Sequence, residues 1–377
     1  MTSRPGNYSH AIFWLTILVV TAALFLFSEN TTAPTASSSP TRPPIADSTE
    51  ARSDTSVASR KISNDGQTDK GSIAIPFSPM IACSRVNDLV VDSRGTLWIA
   101  TENGLNALNN GEMKEFSESK GTFPAPQAEC LAYDGQKLWV GTLFGLFSMT
   151  RSGRVEKHTA INQPGGDFIL DLNWDGISLW VATHAGAAFM EKEDRFTLID
   201  RQVSNGGLRS DWCQNIMRFS AWFVAAHDNG ISFWNTGFKA ANPEFWKNID
   251  SGRSGIIRPI NDMTFDGRHI WIATSRGVLY LTTPLEKLFS ESVSNFVNYT
   301  TVHGLPDNRI NAILAHRGAV WLGTGNGLAR ISEDKIQTII PADGGSIPKI
   351  LALAASGDIL WLGTDRGVQF VNTAMVQ

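Results

Sequence analysis

One short phrase recurs along this chain and constrains its fold more than any other feature. At residues 320–324 it reads Val-Trp-Leu-Gly-Thr, and it continues to a Gly-Leu pair at residues 327–328. The copy around residue 222 lacks the Thr. Spacings of about 40–50 residues between the tryptophans match the period of a propeller blade, so the copies predict an all-β fold, a seven-bladed β-propeller. The tryptophans are Trp98, Trp139, Trp180, Trp222, Trp271, Trp321 and Trp361.

Each copy has the composition of a strand that is covered on both faces. Consecutive Leu, Ile, Val and Trp suit a blade sheet packed between two neighbouring blades. We expect Trp to fill the wedge between blades, and the Gly or Ala two residues later to leave room for it. The Gly six residues after Trp permits a positive φ and a tight turn. Packing therefore accounts for the phrase without any chemistry.

The repeats predict four strands per blade: an inner strand, the Trp strand, a third strand led by Gly, and a polar fourth strand. Asp-Gly pairs at residues 134–135, 175–176 and 266–267 indicate hairpin turns between the first two. The last repeat lacks a fourth strand, whereas residues 72–77 have no blade of their own. We expect residues 72–77 to join the C-terminal blade and close the ring, because an open ring exposes sheet edges. Residues 72–377 then form one propeller domain.

The chain before the repeats predicts a membrane anchor followed by a tether. Residues 11–27 are apolar and uncharged, and a helix at ~1.5 Å per residue makes them about 25 Å long, enough with flanking residues for a bilayer core of ~30 Å. A cleaved signal peptide is the alternative, but its apolar core is about 7–15 residues and a small-x-small site should follow. We expect a cytoplasmic N-terminus at residues 1–10, a transmembrane signal-anchor helix at 11–28 and a flexible Ser/Thr/Pro-rich linker at 29–71.

This arrangement predicts a single-pass protein of the inner (cytoplasmic) membrane. Arg4 and the amino terminus favour the cytoplasm for the N-terminal end. The propeller then lies on the periplasmic, extracytoplasmic side.

Composition and motifs exclude several classes of function. A formal net charge of −4 and no basic tract argue against nucleic-acid binding. Three cysteines are too few and too scattered for a disulfide framework or a zinc site, although Cys83 and Cys130 would be the least unfavourable pair, and Cys213 is the third. The sequence has no recognisable catalytic triad, His-Glu-x-x-His motif or phosphate loop. We expect no resident cofactor. A binding function is favoured over an enzymatic one, and the possibility of catalysis stays open.

The phrase Trp-[Ile/Leu/Val]-[Gly/Ala]-Thr-x-x-Gly-[Leu/Val], with His-Gly-Leu-Pro-Asp-Asn-Arg-Ile at residues 303–310 leading into an inner strand, resembles the two-component regulator propeller repeat. The resemblance covers about residues 72–377. In that family the repeats commonly form extracytoplasmic sensor regions of membrane-bound kinases or nucleotide cyclases. We expect neither a kinase nor a cyclase domain beside the ring here. The resemblance therefore implies sensing or ligand binding, with a separate signalling or transport protein as partner.

Propellers usually bind at the face formed by the inter-blade loops and the loops between second and third strands. Aromatic, Asn, Arg and Asp side chains there suit a sugar-like or peptide-like small molecule, or a protein partner. A membrane-tethered sensor or binding module is the favoured function; the alternative is a metal-dependent hydrolase or lyase acting at the channel mouth. The candidate ligand-binding residues are Glu102, Asn103, Phe144, His184, Trp212, His227, Asp228, Arg276, Arg309, Asn326, Asp365 and Arg366. Of these, His184 and His227 occupy equivalent loops of consecutive blades. They form either a metal-binding pair or, in the ordinary interpretation, two solvated side chains.

Aligned inner strands place a set of polar residues at one level of the central channel. Three carboxylates there, with Asn87, Asn261 and Asn311 next to them, would repel, raising at least one pKa, or would bind a cation such as Ca²⁺. Asp88, Asp171 and Asp262 are therefore candidate metal ligands. We favour a water-lined channel in which each Asp accepts hydrogen bonds from backbone N–H groups of the adjacent loop, because Ca²⁺ at ~2.3–2.6 Å needs ligands closer together than opposed blades usually come. The third residues of the seven strands are Asp88, Cys130, Asp171, Asn215, Asp262, Ala312 and Ala352.

Overall fold

The structure is a computed structural model and describes residues 71–158, 168–192, 195–250, 259–288, 296–345 and 348–376. These residues form seven antiparallel blades around a channel, and the predicted seven-bladed propeller of four-stranded blades is confirmed. The anchor and linker predicted at residues 11–28 and 29–71 lie outside the described residues, apart from residue 71. Within the described part, no helix has the length and apolar character needed to cross a membrane.

The strands follow the predicted order from the channel outwards in each blade. Two short strands precede the first blade, β1 (Ser72–Ile75) and β2 (Ile81–Ala82). Blade one contains β3 (Val86–Val91), β4 (Leu97–Thr101), β5 (Gly104–Asn109) and β6 (Glu112–Phe116). Blade two contains β7 (Cys130–Tyr133), β8 (Lys137–Thr142), β9 (Gly145–Thr150) and β10 (Val155–His158). Blade three contains β11 (Ile169–Trp174), β12 (Leu179–Thr183), β13 (Gly186–Lys192) and β14 (Arg195–Ile199).

The remaining four blades repeat this order, with short 3-10 turns at Pro243–Phe245, Leu285–Lys287, Thr301–His303 and Thr373–Val376. Blade four contains β15 (Cys213–Phe219), β16 (Trp222–His227), β17 (Gly230–Asn235) and β18 (Trp246–Asp250). Blade five contains β19 (Ile260–Phe265), β20 (Ile270–Thr274), β21 (Gly277–Leu281) and β22 (Phe296–Tyr299). Blade six contains β23 (Ile310–His316), β24 (Ala319–Thr324), β25 (Gly327–Ser332) and β26 (Lys335–Pro341). Blade seven contains β27 (Ile350–Ser356), β28 (Ile359–Thr364) and β29 (Gly367–Asn372).

The N-terminal segment closes the ring, but residues 72–77 do not form the fourth strand of the C-terminal blade as predicted. β1 (Ser72–Ile75) adds a fifth strand to blade six by pairing in parallel with β26. The fourth strand of blade seven is β2 (Ile81–Ala82), antiparallel to β29, and Phe77 makes one bridge to Val371. The physical reason lies at Pro76, which has no N–H to donate and interrupts the segment. The segment therefore joins two blades, and Ile75 is buried in the core between them.

The small residue of the recurring phrase makes room for the next blade rather than for Trp. A Cβ added to Gly141 would lie 2.6 Å from Cγ2 of Ile169, the first residue of the next inner strand. Gly323 stands in the same relation to Ile350. The tryptophan beside it, Trp139, is buried among apolar residues of blades two and three. The sequence interpretation of this position was therefore wrong about which side chain needs the space.

The Asp of the hairpin turn and the Thr of the phrase have local structural roles. Asp134 accepts backbone N–H groups from Gln136 at 2.7 Å and Lys137 at 2.6 Å. Its other oxygen accepts the indole N–H of Trp139 at 2.8 Å, so the turn fixes the orientation of the wedge residue. Thr142 donates to the carbonyl of Gly145 at 2.9 Å and closes the next turn. Both patterns recur in other blades.

The three cysteines of the chain are free thiols. Cys83 and Cys130, the pair that the sequence favoured if any disulfide formed, are therefore not joined in the structure. Cys130 instead points into the interface beside Gly141, where an added Cβ would meet its Sγ.

Candidate binding site at the channel mouth

The site begins with an irregularity that repeats at the top of the inner strands. In six blades the register shifts between the first and third residues of the inner strand, which leaves the second residue in a β-bulge. Bulges re-aim side chains and are common beside functional sites. We call these second residues, with the equivalent residue of blade two, the bulge ring: Asn87, Glu129, Leu170, Gln214, Asn261, Asn311 and Leu351.

All seven residues of the bulge ring line one cavity at the channel mouth, with a volume of about 570 Å³. Four residues that directly precede an inner strand's first residue add to its wall: Arg85, Trp212, Pro259 and Lys349. This volume is typical of sites that hold small ligands, which are about 300–1,000 Å³. The cavity is therefore built by every blade and lies on the channel axis.

Below the bulge ring, the three candidate metal-ligating aspartates join blades in pairs. Asp171 accepts the N–H of Leu172 in its own blade and the N–H of Ile216 in blade four, each at 2.8 Å. Asp88 links blade one to blade two in the same way, through Leu131 at 2.7 Å. Asp262 links blade five to blade six, through Ile313 at 2.8 Å. Each aspartate therefore joins its own blade to the following one.

These contacts give the aspartates a structural role at the level where a cation was considered. Among the described residues, no group of three or more His, Cys, Asp or Glu side chains is placed to hold a metal ion. Burial raises the pKa of Asp88 to about 6 and that of Asp262 to about 7, against the lowering effect of their N–H donors. Burial also raises the pKa of Asp171 well above its usual range. The structure does not bring Asp88, Asp171 and Asp262 together as a ligand set.

The asparagines of the bulge ring are held by their amide nitrogens. Asn87 donates to the carbonyl of Ala128 at 2.8 Å. Asn261 and Asn311 donate in the same way to the first residues of the next inner strands, at 2.7 and 2.8 Å. Because each amide nitrogen is engaged with the next blade, the position of each amide oxygen is set by the fold. The mouth is thus a rigid, amide-rich surface.

One part of the mouth carries a cluster of aromatic rings. The centroids of Phe168 and His184 are 4.7 Å apart, and those of His184 and Trp212 are 6.3 Å apart. Phe168 is 45% exposed and Trp212 is 47% exposed. Of the sequence-predicted candidates, His184 and Trp212 are therefore brought together, and Trp212 lines the cavity.

His227 was expected at the surface, and this expectation is contradicted because the residue is 1% exposed. It replaces the Thr of the phrase in blade four, and its Nδ1 accepts the N–H of Asn229 at 3.1 Å. Its Nε2 lies 2.9 Å from the hydroxyl of Ser232. Burial lowers its pKa to about 4, so the ring is neutral near pH 7. It is a turn-forming residue that does not meet His184 at the surface.

The other candidates lie on the predicted face but outside the cavity that the described residues form. All are exposed, in agreement with their placement in loops. Arg309 directly precedes β23, and the remaining residues occupy loops between second and third strands: Glu102, Asn103, Phe144, Asp228, Arg276, Asn326, Asp365 and Arg366. Their participation in ligand binding stays a prediction.

Residues 81–103 match the family model described as two component regulator propeller. This segment is similar to one copy of that repeat. The matched segment contains β2, the bulged inner strand β3 and the Trp strand β4. It therefore spans both the ring closure and one position of the bulge ring.

Solved structures with similar folds include the extracellular domains of proteins described as a putative one component system and a putative hybrid two component system. The extracellular domain of the putative hybrid two component system BT3049 from B. thetaiotaomicron has a TM-score of 0.65 and 17% identity, covering 79% of this chain and 42% of that one. The extracellular domain of the putative one component system BT4673 from the same organism has a TM-score of 0.61 and 20% identity, covering 78% of this chain and 40% of that one. Virginiamycin B lyase from Staphylococcus aureus has a TM-score of 0.59 and 15% identity, covering 78% of this chain and 99% of that one.

These similarities show the propeller fold alone. The chain spans about two fifths of the length of the two regulator domains. No curated protein matches the chain.

The bulge ring was missed by the sequence interpretation as a set, although Asn87, Asn261 and Asn311 were seen to adjoin the aspartates. The signal was present, because each member directly precedes the aligned third residue of an inner strand. The register shift that turns these residues into the mouth is a feature of the backbone of the inner strand, and the repeated Trp phrase does not predict it.

Proposed function

We propose that this chain is a membrane-tethered, extracytoplasmic sensor or binding propeller that captures its ligand at the channel mouth. The observation that carries the proposal is the cavity of about 570 Å³ to which all seven blades contribute a bulge-ring residue. The ligand is a sugar-like or peptide-like molecule or a protein segment, because amide groups and an exposed Trp212 recognise such ligands. The output passes to a separate signalling or transport protein.

The location rests on two supports. Residues 11–28 are apolar and long enough for an anchor, and two regulator structures of similar fold are described as extracellular domains. We expect the full-length protein to stay in the membrane fraction with an intact N-terminus, and its propeller to be cleaved by protease added to spheroplasts. Fractionation, N-terminal mass spectrometry and protease accessibility measure this. A mature chain that begins between residues 28 and 36 would contradict the anchor.

Ligand capture at the mouth is tested by thermal-shift screening of the detergent-solubilised full-length chain. We expect at least one small-molecule class to raise the melting temperature, because a ligand that binds only the folded state stabilises it. The double variant Trp212→Ala/Gln214→Ala should lose this shift, since both residues line the cavity. Phe238→Ala is the matched control: Phe238 is 46% exposed, similar to Trp212, but lies between the third and fourth strands of blade four, on the opposite face.

The proposal fails if no compound stabilises the native chain. It fails equally if a stabilising compound acts as strongly on the double variant as on the native chain.

A further inference from the structure

A second ring surrounds the mouth above the bulge ring, and its chemistry differs between its two sides. It consists of the residues that directly precede the first residue of each inner strand. In six blades, that first residue is the one just before the register shift. In blade two the equivalent residue is Ala128, which directly precedes Glu129. From blade one to blade seven this rim ring reads Arg85, Gln127, Phe168, Trp212, Pro259, Arg309 and Lys349.

Three consecutive blades supply the cationic side of the rim ring. Blades six, seven and one contribute Arg309, Lys349 and Arg85, and the last two also line the cavity. The guanidinium of Arg85 donates to Oδ1 of Asn87 at 3.0 Å, which directs it towards the mouth. Among the described residues, neither Arg85 nor Lys349 has a carboxylate within ion-pair distance. Two cations of adjacent blades are thus available to one anion.

The opposite three blades supply an apolar side. Phe168, Trp212 and Pro259 belong to blades three, four and five. Phe168 and Trp212 both contact the ring of His184, so their exposed faces belong to one aromatic wall. Aromatic residues with nearly half of their surface exposed beside a cavity are typical of ligand sites.

We propose that the mouth recognises an amphipathic carboxylate, whose anionic end pairs with Arg85 and Lys349 while its flat apolar end packs on Trp212 and Phe168. This inference rests on the proposed function and names the chemistry of its ligand. A free aromatic acid and the C-terminal residue of a peptide share this chemistry. Glu129, the one carboxylate among the described lining residues, lies in blade two between the two sides and accepts a hydrogen bond from Gln127. Cations therefore outnumber it at the cavity wall.

Calorimetric titration of the full-length chain with 3-phenylpropionate and with its uncharged amide tests the inference. We expect the acid to bind roughly 10- to 100-fold more tightly than the amide, because a hydrogen bond to a charged group contributes about 1.5–3 kcal/mol. Added salt should weaken the acid more than the amide. A Phe-terminated peptide, as the free acid and as the C-terminal amide, then distinguishes a peptide end from a free acid as the source.

Variants connect the preference to named side chains. Arg85→Gln with Lys349→Gln should remove the difference between acid and amide, whereas Trp212→Ala should weaken both ligands. Arg94→Gln is the charge control, because Arg94 is exposed in the turn on the opposite face of blade one. The acid–amide comparison itself uses the native chain and needs no variant to fold.

Equal affinity for acid and amide, binding of neither, or a preference that survives loss of both cations would overturn the inference. One of these results can occur while a neutral ligand still raises the melting temperature of the native chain but not that of Trp212→Ala/Gln214→Ala. In that case the proposed function stands and the carboxylate inference alone fails. If no ligand of any class depends on the mouth, both fail.

Discussion

Replacing Asp171 by Ala is expected to lower the free energy of unfolding by about 2–4 kcal/mol, since each buried N–H left without an acceptor costs about 1–3 kcal/mol. The carboxylate accepts one N–H in blade three and one in blade four. Both donors, Leu172 and Ile216, are buried. Alanine leaves both N–H groups without their acceptor and removes one connection between the two blades.

Two further substitutions make this measurement specific. Asp171→Asn keeps one acceptor oxygen and should have an intermediate effect in urea denaturation followed by Trp fluorescence. Asp365→Ala, in an exposed loop, should stay within about 0.5 kcal/mol of the native chain. If Asp171→Ala were no more destabilising than Asp365→Ala, the carboxylate would not be holding the blades together.

The free energy of unfolding is also expected to fall as the pH rises from about 5 to about 8. Burial raises the pKa of Asp262 from 3.8 to about 7. The folded chain therefore keeps a proton at pH values where the unfolded chain has lost it. The stability due to this proton is fully present below the unfolded pKa and is lost as the pH rises through the folded one. At about 1.4 kcal/mol per pKa unit, the shift from 3.8 to about 7 corresponds to about 4.5 kcal/mol, and access of channel water makes about 2 kcal/mol the expected value.

Denaturation of the native chain and of Asp262→Asn over this pH range measures the contribution. The native chain should lose more stability than the variant, most of it below about pH 7, because Asn does not titrate and the folded and unfolded chains hold the same protons above the folded pKa. His227 acts in the opposite direction: burial lowers its pKa to about 4, so its contribution is present above about pH 6.5 and is lost as the pH falls. The comparison of the two profiles removes this background. Parallel profiles would show that Asp262 is ionised at all these pH values.

The fold could be predicted because its main determinant is local and repeated. Seven tryptophans in phase gave the blade number, and the aligned third positions of the inner strands are confirmed by register, as in Asp88 with Ala100 and Asp262 with Ala273. The hydrogen bonds of these aspartates to backbone N–H groups also agree with the favoured interpretation, although the donors belong to inner strands, one in the same blade and one in the next, rather than to the adjacent loop.

The candidate site was predicted less well, because its members meet only when distant blades come together. Trp212 and His184 were chosen singly, and the contact between their rings depends on the packing of blade four against blade three. His227 was misplaced because its position in the phrase was recognised but its substitution for the turn-forming Thr was not.

The sequence by itself determined the all-β class, the number of blades and the order of strands within each, since periodic hydrophobicity and turn residues act over a few residues at a time. Tertiary structure alone decided how the ring closes, with Ile75 in blade six and Ile81 in blade seven, and which residues form the mouth. The reason is physical: closure and the rim depend on which backbone edges are left unpaired and which blades become neighbours once the ring is complete. Arg85 and Lys349 are 264 residues apart in the chain, and only the closed ring places them in one cavity wall.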